Sequence, residues 1–552
     1  MEILNFTEIY EKSFRENWDL PALTEYPTKR SLDYSGLARD IAMTHILFES
    51  IGLRPGAKVA LCGKDSMNWV VTYMAVVTYG AVIVPILADF NPVDITHIVN
   101  HSEAELLFVG DSVWEHIEPE ALLAVKAVMS LDSKGVLHES GNTEIQRDIR
   151  LLRRRFNRRY PDGFKAADVS YRRRSNDEVV EINYTSGTTG FSKGVMLTGA
   201  NLSGNVTFGI HTRLHYRRSR ALAFLPLAHA YGCAFDMLTP LAVGSHVTLL
   251  CKTPSPRVLL KAMAEVRPNL VICVPLILEK IYRNQILPMI SKGAMRWTLA
   301  VPFLDSLIYS KIRKKLIDAF GGEFEEVIVG GAPLNHEVEE FLYKIKFPFT
   351  VGYGMTECGP LISYTPWRRF IPGSSGRTLP DMETMILSDD PEKVPGEICV
   401  RGVNVFKGYF RNPEATGRVL GDDGWLKTGD MGTRSADGTL FLRGRSKTMI
   451  LSGSGQTIYP EEIEAKLNNM PFVAESLVVE RDGKLVGLVY PDYEALDRLG
   501  VGGADMESAM ENVRVELNRL VAPYERLAKI VLMPNEFEKT PKRSIKRYLY
   551  TH

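Results

Sequence analysis

Over the first two-thirds of the chain, short apolar runs alternate with longer stretches of mixed polarity. Lys58-Val59-Ala60-Leu61-Cys62, Ala81 to Leu87, Glu105-Leu106-Leu107-Phe108-Val109, Ala221 to Phe224 and Leu270-Val271-Ile272-Cys273-Val274 are nearly continuous in apolar residues. Such runs read as strands buried on both faces, with the intervening stretches as covering helices, which is a layered α/β arrangement. From Trp69 to Ala88 there is no charge at all, a length that could cross a bilayer. Gly80 and Pro85 interrupt it, however, so a buried helix, a turn and a core strand are predicted and no transmembrane segment is. After about Thr350 the texture changes to short strands with Gly, Pro and Asp turns, as in Pro395-Gly396-Glu397-Ile398-Cys399-Val400. The pattern therefore predicts a large N-terminal domain over 1–446, built of layered α/β subdomains plus a small β-rich one. A small α+β C-terminal domain over 448–552 follows, of ordinary size for an independent module.

With 552 residues, the chain exceeds what one hydrophobic core usually supports. Apolar residues make up 45% and charged residues 24%, and 66 basic residues balance 66 acidic ones. Nothing global therefore points to nucleic acid or to an acidic partner. The six cysteines form no C-x-x-C pair, which fits core thiols in a reducing, cytoplasmic setting and disfavours a zinc site or a disulfide framework. Residues 147 to 174 are unusually basic, with Arg153-Arg154-Arg155 and Arg172-Arg173-Arg174. Little apolar surface accompanies the charge, so a solvated helix and linker is the preferred reading, with peripheral contact at the inner membrane face as its alternative.

Candidate chemistry concentrates in five segments. Tyr184-Thr185-Ser186-Gly187-Thr188-Thr189-Gly190-Phe191-Ser192-Lys193-Gly194 follows an apolar run and reads as a loop leaving a sheet edge. Glycines let successive N–H groups point into one concavity, four hydroxyls add donors, and Lys193 adds charge, which together make a polyphosphate cradle. It is not a Walker A loop, because Ser192 rather than glycine precedes the lysine. Gly330-Gly331-Ala332-Pro333-Leu334 follows the run Val327-Ile328-Val329. There a flat ring could lie on bare backbone, although an ordinary strand-to-helix turn reads equally well. In Val351-Gly352-Tyr353-Gly354-Met355-Thr356-Glu357 the aromatic could stack on a base, Thr356 reach phosphate, and Glu357 offer oxygen to Mg²⁺. Asp430, in Gly424-Trp425-Leu426-Lys427-Thr428-Gly429-Asp430, reads as a loop aspartate able to accept ribose hydroxyls; alone it would pass for a turn residue. Leu442-Arg443-Gly444-Arg445-Ser446-Lys447-Thr448 leads into Tyr459-Pro460-Glu461-Glu462-Ile463-Glu464, where Pro460 followed by acids starts a helix.

In this order, and covering nearly the whole chain, these segments resemble the adenylate-forming superfamily of acyl-CoA synthetases, luciferases and peptide-synthetase adenylation domains. Lys311-Ile312-Arg313-Lys314-Lys315 through Leu334, and Val405-Phe406-Lys407-Gly408-Tyr409-Phe410, look most like long-chain fatty acyl-CoA synthetases. The resemblance implies an ATP- and Mg²⁺-dependent ligase. A fatty acid would attack the α-phosphate to give acyl-AMP and pyrophosphate, and coenzyme A would then take the acyl group. It implies that Thr185, Ser186, Thr188, Thr189 and Lys193, with Gly187 and Gly190, hold the phosphates. Gly331, Ala332 and Pro333 would line adenine with Tyr353 on its face beside Gly354, and Thr356 would meet the α-phosphate. Glu357, with Thr188, would hold the metal, and Asp430 and Arg445 the ribose. His229, in Leu225-Pro226-Leu227-Ala228-His229-Ala230-Tyr231-Gly232, would sit near the substrate carboxylate; otherwise it reads as a core histidine. Lys447 matches the position about which the family's mobile C-terminal domain rotates.

One departure stands out. Aligned without gaps, Lys539-Thr540-Pro541-Lys542-Arg543-Ser544-Ile545-Lys546-Arg547 places Ser544 where the family carries a catalytic lysine. Substitution by Lys542 or Lys546 is preferred, since both share Ser544's face in an extended segment. A local shift of the alignment, or a chain that binds nucleotide with impaired adenylation, are the other readings. An acyl-AMP ligase passing its product to an acyl carrier protein is the nearest rival activity. The acyl pocket draws on segments distant in the chain, among them Val274-Pro275-Leu276 and the surroundings of Tyr231, so acyl length and oligomeric state are not legible.

Overall fold

A computed structural model describes residues 2–141, 144–185, 193–252, 254–290, 304–451, 457–493, 496, 503–540 and 545–551. The apolar runs become the strands of two sheets. In the eight-stranded one the order is Gly408–Tyr409, Lys193–Thr198, Val179–Thr185, Val82–Ile86, Lys58–Cys62, Ala104–Val109, Ala127–Ser130 and Val136–Glu139. Its central strands are parallel, and both flanks turn antiparallel. The seven-stranded sheet runs Phe349–Val351, Glu326–Val329, Leu270–Cys273, Arg220–Ala223, His246–Leu250, Pro21–Tyr26 and Ser31–Asp33, parallel except at its last pair.

The uncharged stretch after Trp69 resolves into the helix Met67–Tyr79, a turn at Gly80 and the strand Val82–Ile86. Ser66 caps the helix by accepting the Trp69 N–H at 3.2 Å, and Trp69 and Tyr73 are both wholly buried. At about 1.5–3 kcal/mol for each large apolar side chain removed from water, this helix is held by burial and not by propensity, since its β-branched residues are poor helix formers. One continuous core extends from Phe6 to Leu440 through both sheets. The apolar side chains from Ile450 onward pack in separate clusters, around Leu467 and Leu517 and around Leu477 and Phe537. They cover the three-stranded sheet Val473–Arg481, Lys484–Pro491 and Lys529–Leu532. Between the two parts lies the antiparallel sheet Met382–Leu387, Gly396–Gly402, Leu426–Arg434 and Leu440–Arg445, the β-rich texture expected after Thr350.

Two expectations need correction. The strand before the phosphate loop continues through Tyr184 and Thr185, and Thr185 pairs with Lys193. The loop therefore joins two neighbouring strands within the sheet instead of leaving its edge, because Tyr184 is apolar enough to stay buried in the ladder. The basic stretch is also not all solvated. Arg174 is buried, donating to the carbonyls of Ala81 and Val179 at 2.9 Å each and pairing with Glu178 at 3.2 Å. A guanidinium with several donors can be satisfied inside in this way.

Candidate active site

The carboxyl ends of the parallel strands converge on one region, the usual place for a ligand in an open α/β sheet. Phe224–His229 follows Arg220–Ala223, Val274 follows Leu270–Cys273, Gly330 follows Glu326–Val329, and Gly352 follows Phe349–Val351. Val329 and Val351 are register partners, so the Gly330 turn and Tyr353 emerge side by side.

The segment Tyr353–Glu357 links two clusters of side chains. At its start, the buried Tyr353 hydroxyl donates to Asp430 Oδ2 at 2.7 Å, and Arg445 Nε lies 2.9 Å from Asp430 Oδ1. Asp430 and Arg445 are register partners in the β-rich sheet. Asp430 therefore sits in a strand and not in the loop expected for it. The strand continues through Thr428-Gly429 because the Thr428 hydroxyl turns inward to the Ile398 carbonyl at 2.7 Å. Burial raises the Asp430 carboxyl above its usual range, while Arg445 and the Tyr353 hydroxyl oppose that rise. At the other end of the segment, Glu357 Oε1 accepts from the Tyr409 hydroxyl at 2.8 Å. Lys193 Nζ stands over the Tyr409 ring, 5.0 Å from its centroid, within cation–π range. Tyr409 reaches both because Gly408–Tyr409 pairs with Val195–Met196, extending the sheet beside Lys193. Between the clusters the backbone is crowded. A Cβ on Gly354 would lie 2.3 Å from the Pro360 carbonyl oxygen, so only glycine fits there. Thr356 is buried in the short turn Thr356–Cys358.

In the Gly330 turn, a Cβ at Gly330 would come within 3.0 Å of the Tyr231 ring. The ring that lies on its bare backbone is thus the protein's own. Tyr231 is fixed there by donating to the Ile328 carbonyl at 3.0 Å. Gly331, Ala332 and Pro333 are exposed and open to a ligand. His229 begins the next helical turn, its Nδ1 accepting the Tyr231 N–H at 3.3 Å. Asn183, two residues before Thr185, donates to the Ala228 carbonyl at 3.1 Å and to Glu181 at 2.8 Å. The Tyr73 hydroxyl donates to the other oxygen of Glu181 at 2.5 Å. This buried chain ties the strand entering the phosphate loop to the His229 turn.

Ser186, Gly187, Thr188, Thr189 and Gly190 lie outside the described residues, as do Lys542 and Ser544. Lys546 is described and stands 3.4 Å from Glu538, so its charge is partnered in this arrangement. Lys447 is exposed in the turn that follows the strand Leu440–Arg445. The acids of Tyr459-Pro460-Glu461-Glu462-Ile463-Glu464 frame that turn. Glu461 accepts from the Thr448 hydroxyl at 2.6 Å, Glu462 stands 3.7 Å from Arg443, and Glu464 pairs with Arg547 at 2.6 Å. Asn335, at the end of the Gly330 turn, donates to Asn469, and Arg283 donates to the Asn468 carbonyl. The helix Pro460–Leu467 thus meets the large domain from both sides. Tyr409 is a site-linking residue to which sequence reasoning gave no role, while Tyr231 entered it only as a marker of the acyl pocket and Glu461 only as part of a helix start. Tyr409 lay within a quoted string, but its partner Glu357 is 52 residues away.

Glu357 is a hard-oxygen donor with one oxygen turned to Tyr409. Among the described residues no group of three or more His, Cys, Asp or Glu could cage a metal. That donor set suits Mg²⁺ held by one carboxylate and substrate phosphates, its usual mode, and not a protein-only site.

A fold of this kind, with nucleotide-type donors gathered at the strand ends, defines a nucleotide-dependent enzyme, and the family can be stated outright. A family model described as "AMP-binding enzyme" matches residues 10–410, and the chain belongs to that family. The long-chain-fatty-acid–CoA ligase FadD15 of Mycobacterium bovis is 27% identical over 550 residues, spanning 90% of this chain and 86% of its own. Peroxisomal long chain acyl-CoA synthetase 6 of Arabidopsis thaliana is 29% identical, covering 84% of this chain and 70% of its own. Among solved structures, the anthranilate CoA ligase AuaEII in complex with anthranoyl-AMP superposes with a TM-score of 0.78 at 20% identity, over 99% of this chain and 96% of that one. ATP-bound MatB from Rhodopseudomonas palustris gives 0.75 at 23%, over 99% and 98%. These structures establish the fold, a large N-terminal domain followed by a small C-terminal one. No helix among the described residues is long and apolar enough to cross a membrane.

Proposed function

We propose that the protein is an AMP-forming long-chain fatty acid–CoA ligase. In the first step a carboxylate oxygen of the fatty acid bonds to the α-phosphorus of ATP, and pyrophosphate leaves with the electron pair of the broken P–O bond. In the second, the sulfur of coenzyme A gives up its proton to solvent and bonds to the acyl carbonyl carbon, and AMP leaves with the electron pair of the broken C–O bond. The observation that carries this reading is the junction at Tyr353–Glu357, which joins a ribose-type pair, the acceptor Asp430 and the donor Arg445, to a phosphate-type cation, Lys193. The relatives' names supply the acyl class.

A carboxylate is already a nucleophile at neutral pH and needs no general base. The obstacle is charge. Two like unit charges 4 Å apart repel by about 4 kcal/mol at an effective dielectric of 20, about a thousandfold in rate. Lys193 offsets part of this from the phosphate side, held in place by the Tyr409 ring. Asp430 accepts from the ribose hydroxyls, its carboxylate oriented by Tyr353. Gly331, Ala332 and Pro333 line the base, and Thr356 meets the α-phosphate. Bound Mg²⁺ would supply further charge neutralisation on the phosphates, with Glu357 as its protein ligand. Lys542 or Lys546 replaces the lysine absent at Ser544, and Lys447 is the pivot that lets the C-terminal domain present different groups to each half-reaction.

Pyrophosphate release tests the reading when measured with a panel of short, medium, long-chain and aromatic acids, with coenzyme A or acyl carrier protein as acceptor. Release that depends on long-chain acid, together with acyl-CoA formation, is expected. Acyl transfer only to the carrier protein would assign the chain to acyl-AMP ligases, and no acid-dependent release would leave a nucleotide-binding protein.

A further inference from the structure

The helix Ile145–Arg159 carries a dense run of charge and takes no part in the site above. Its inward side is apolar, with Ile145 and Phe156 buried and Ile149 and Leu152 half-buried. The single acid within it, Asp148, also turns inward and pairs with Arg155 at 2.6 Å, while Arg159 pairs with Glu49 at 2.5 Å. Arg147, in its first turn, pairs with Glu144 at 2.5 Å, and what remains is an outer face of Arg150, Arg153, Arg154 and Arg158. The three- and four-residue spacing puts these on one side of the helix. All four are exposed, and none has an ion-pair partner among the described residues. A solvated helix face ordinarily mixes both signs of charge, and on this one the nearest acid along the chain is Glu144 at the N-terminal cap, already paired with Arg147.

At the C-terminal end of this stripe lies an aromatic cluster. Tyr160 packs on Phe164 with centroids 4.9 Å apart and planes at 75°, and Phe164 meets Trp18 at 5.9 Å. Tyr160, Phe164 and Trp18 are only half-buried. Tyr160 and Trp18, apolar rings with a polar tip, are of the kind that favours the boundary between lipid and water. Arginine stripes attract any polyanion, so the choice between lipid and nucleic acid rests on the company the stripe keeps. The chain as a whole carries no net positive charge, which also argues against nucleic acid.

We propose that this face, the arginine stripe with its aromatic end, docks the protein on an anionic lipid bilayer. A basic residue close to an anionic membrane surface contributes about fivefold to partitioning. Four acting together, discounted for incomplete contact, give an expected loss of membrane partitioning of about thirtyfold or more when they are neutralised.

Flotation of the full-length protein with phosphatidylcholine vesicles, and with vesicles containing about one-third phosphatidylglycerol, tests this. Binding is expected only to the second, and is expected to weaken steeply as salt shortens the screening length. The quadruple variant R150Q/R153Q/R154Q/R158Q should lose that binding while keeping its melting temperature and ligase activity. Neutralising Lys311, Lys314 and Lys315 on the helix Leu304–Ala319 should leave it intact. Trp18 gives an independent readout: the fluorescence difference between wild type and Trp18→Phe should shift to shorter wavelength on adding anionic vesicles. Equal binding to both vesicle types, no binding to either, equal losses in both sets of variants, or binding to polynucleotide or acidic protein without binding to vesicles would overturn the proposal.

Discussion

Tyr353→Phe separates two roles that one side chain could serve. The ring survives the change, so stacking against a base would be untouched, and only the hydroxyl that donates to Asp430 at 2.7 Å is lost. A hydrogen bond to a charged group contributes about 1.5–3 kcal/mol. Because 1.4 kcal/mol is tenfold, a carboxylate that depends on this bond for its position should lose about ten- to a hundredfold in nucleotide affinity. Arg445 stays in contact through a single nitrogen, but its side chain is 62% exposed, and exposed pairs of this kind hold only about 0–1 kcal/mol. With so little held by Arg445, the upper half of the range is expected. There is also a pH signature. Burial already raises Asp430, and the Tyr353 hydroxyl is one of the two groups that oppose the rise. Without it the carboxyl moves further up, more of it is protonated at a mildly acidic pH, and the affinity loss should grow as pH falls. Calorimetric titration of a non-hydrolysable ATP analogue at pH 6 and pH 8 measures both effects. An affinity within twofold of wild type at both values would show that the hydroxyl does not position Asp430, and the tie between Tyr353–Glu357 and the ribose acceptor would fall.

Tyr409→Phe should keep the ring under Lys193 and lose the 2.8 Å bond to Glu357. About tenfold more Mg²⁺ should then be needed for half-maximal pyrophosphate release, and an unchanged Mg²⁺ titration would refute the link. Lys542→Ala or Lys546→Ala should depress acyl-AMP formation far more than thioester formation from supplied acyl-AMP; equal, minor effects from both would remove the substitute lysine. Asp236 is buried with one carboxylate oxygen lacking a hydrogen-bond partner, and burial, aided by Asp65, raises it well above the usual range. A carboxyl with a raised folded-state pKa contributes stability that is complete below the unfolded value of about 3.9 and is lost as pH climbs through the folded one. Burial pushes Asp65 up to about 7, so its contribution fades in the same direction. Asp236→Asn should therefore raise the melting temperature at pH 8 relative to wild type and bring little gain near pH 4. A gain that shrinks with rising pH would contradict this sign.

The apolar pattern carried most of the large domain. Lys58–Cys62 appears with the residues expected, and the uncharged stretch from Trp69 divides at Gly80 as its glycine and proline suggested. What escaped the sequence was pairing at a distance. Asp430 looked like a loop residue because Thr428 and Gly429 are turn formers, and Gly429 does take a φ of +73° at an irregularity of the ladder, yet the strand runs on through it from Leu426 to Arg434. Tyr353 and Asp430 are 77 residues apart, and no local periodicity relates them. Arg174 looked like one more solvated cation, and only the fold supplies the carbonyls that allow its burial. The acids after Pro460 read correctly as a helix start, but their grip on Thr448 and Arg547 depends on strands folding back beside them.

The central claim is that this chain forms an acyl adenylate, and trapping that intermediate tests it most directly. Enzyme, ATP, Mg²⁺ and a long-chain fatty acid are mixed in a single turnover with coenzyme A withheld, and the enzyme-bound products are identified by mass. The account predicts one fatty acyl-AMP and one pyrophosphate per active site, with the acyl group moving to coenzyme A on its addition. ATP that binds but stays intact with every carboxylic acid offered would contradict it.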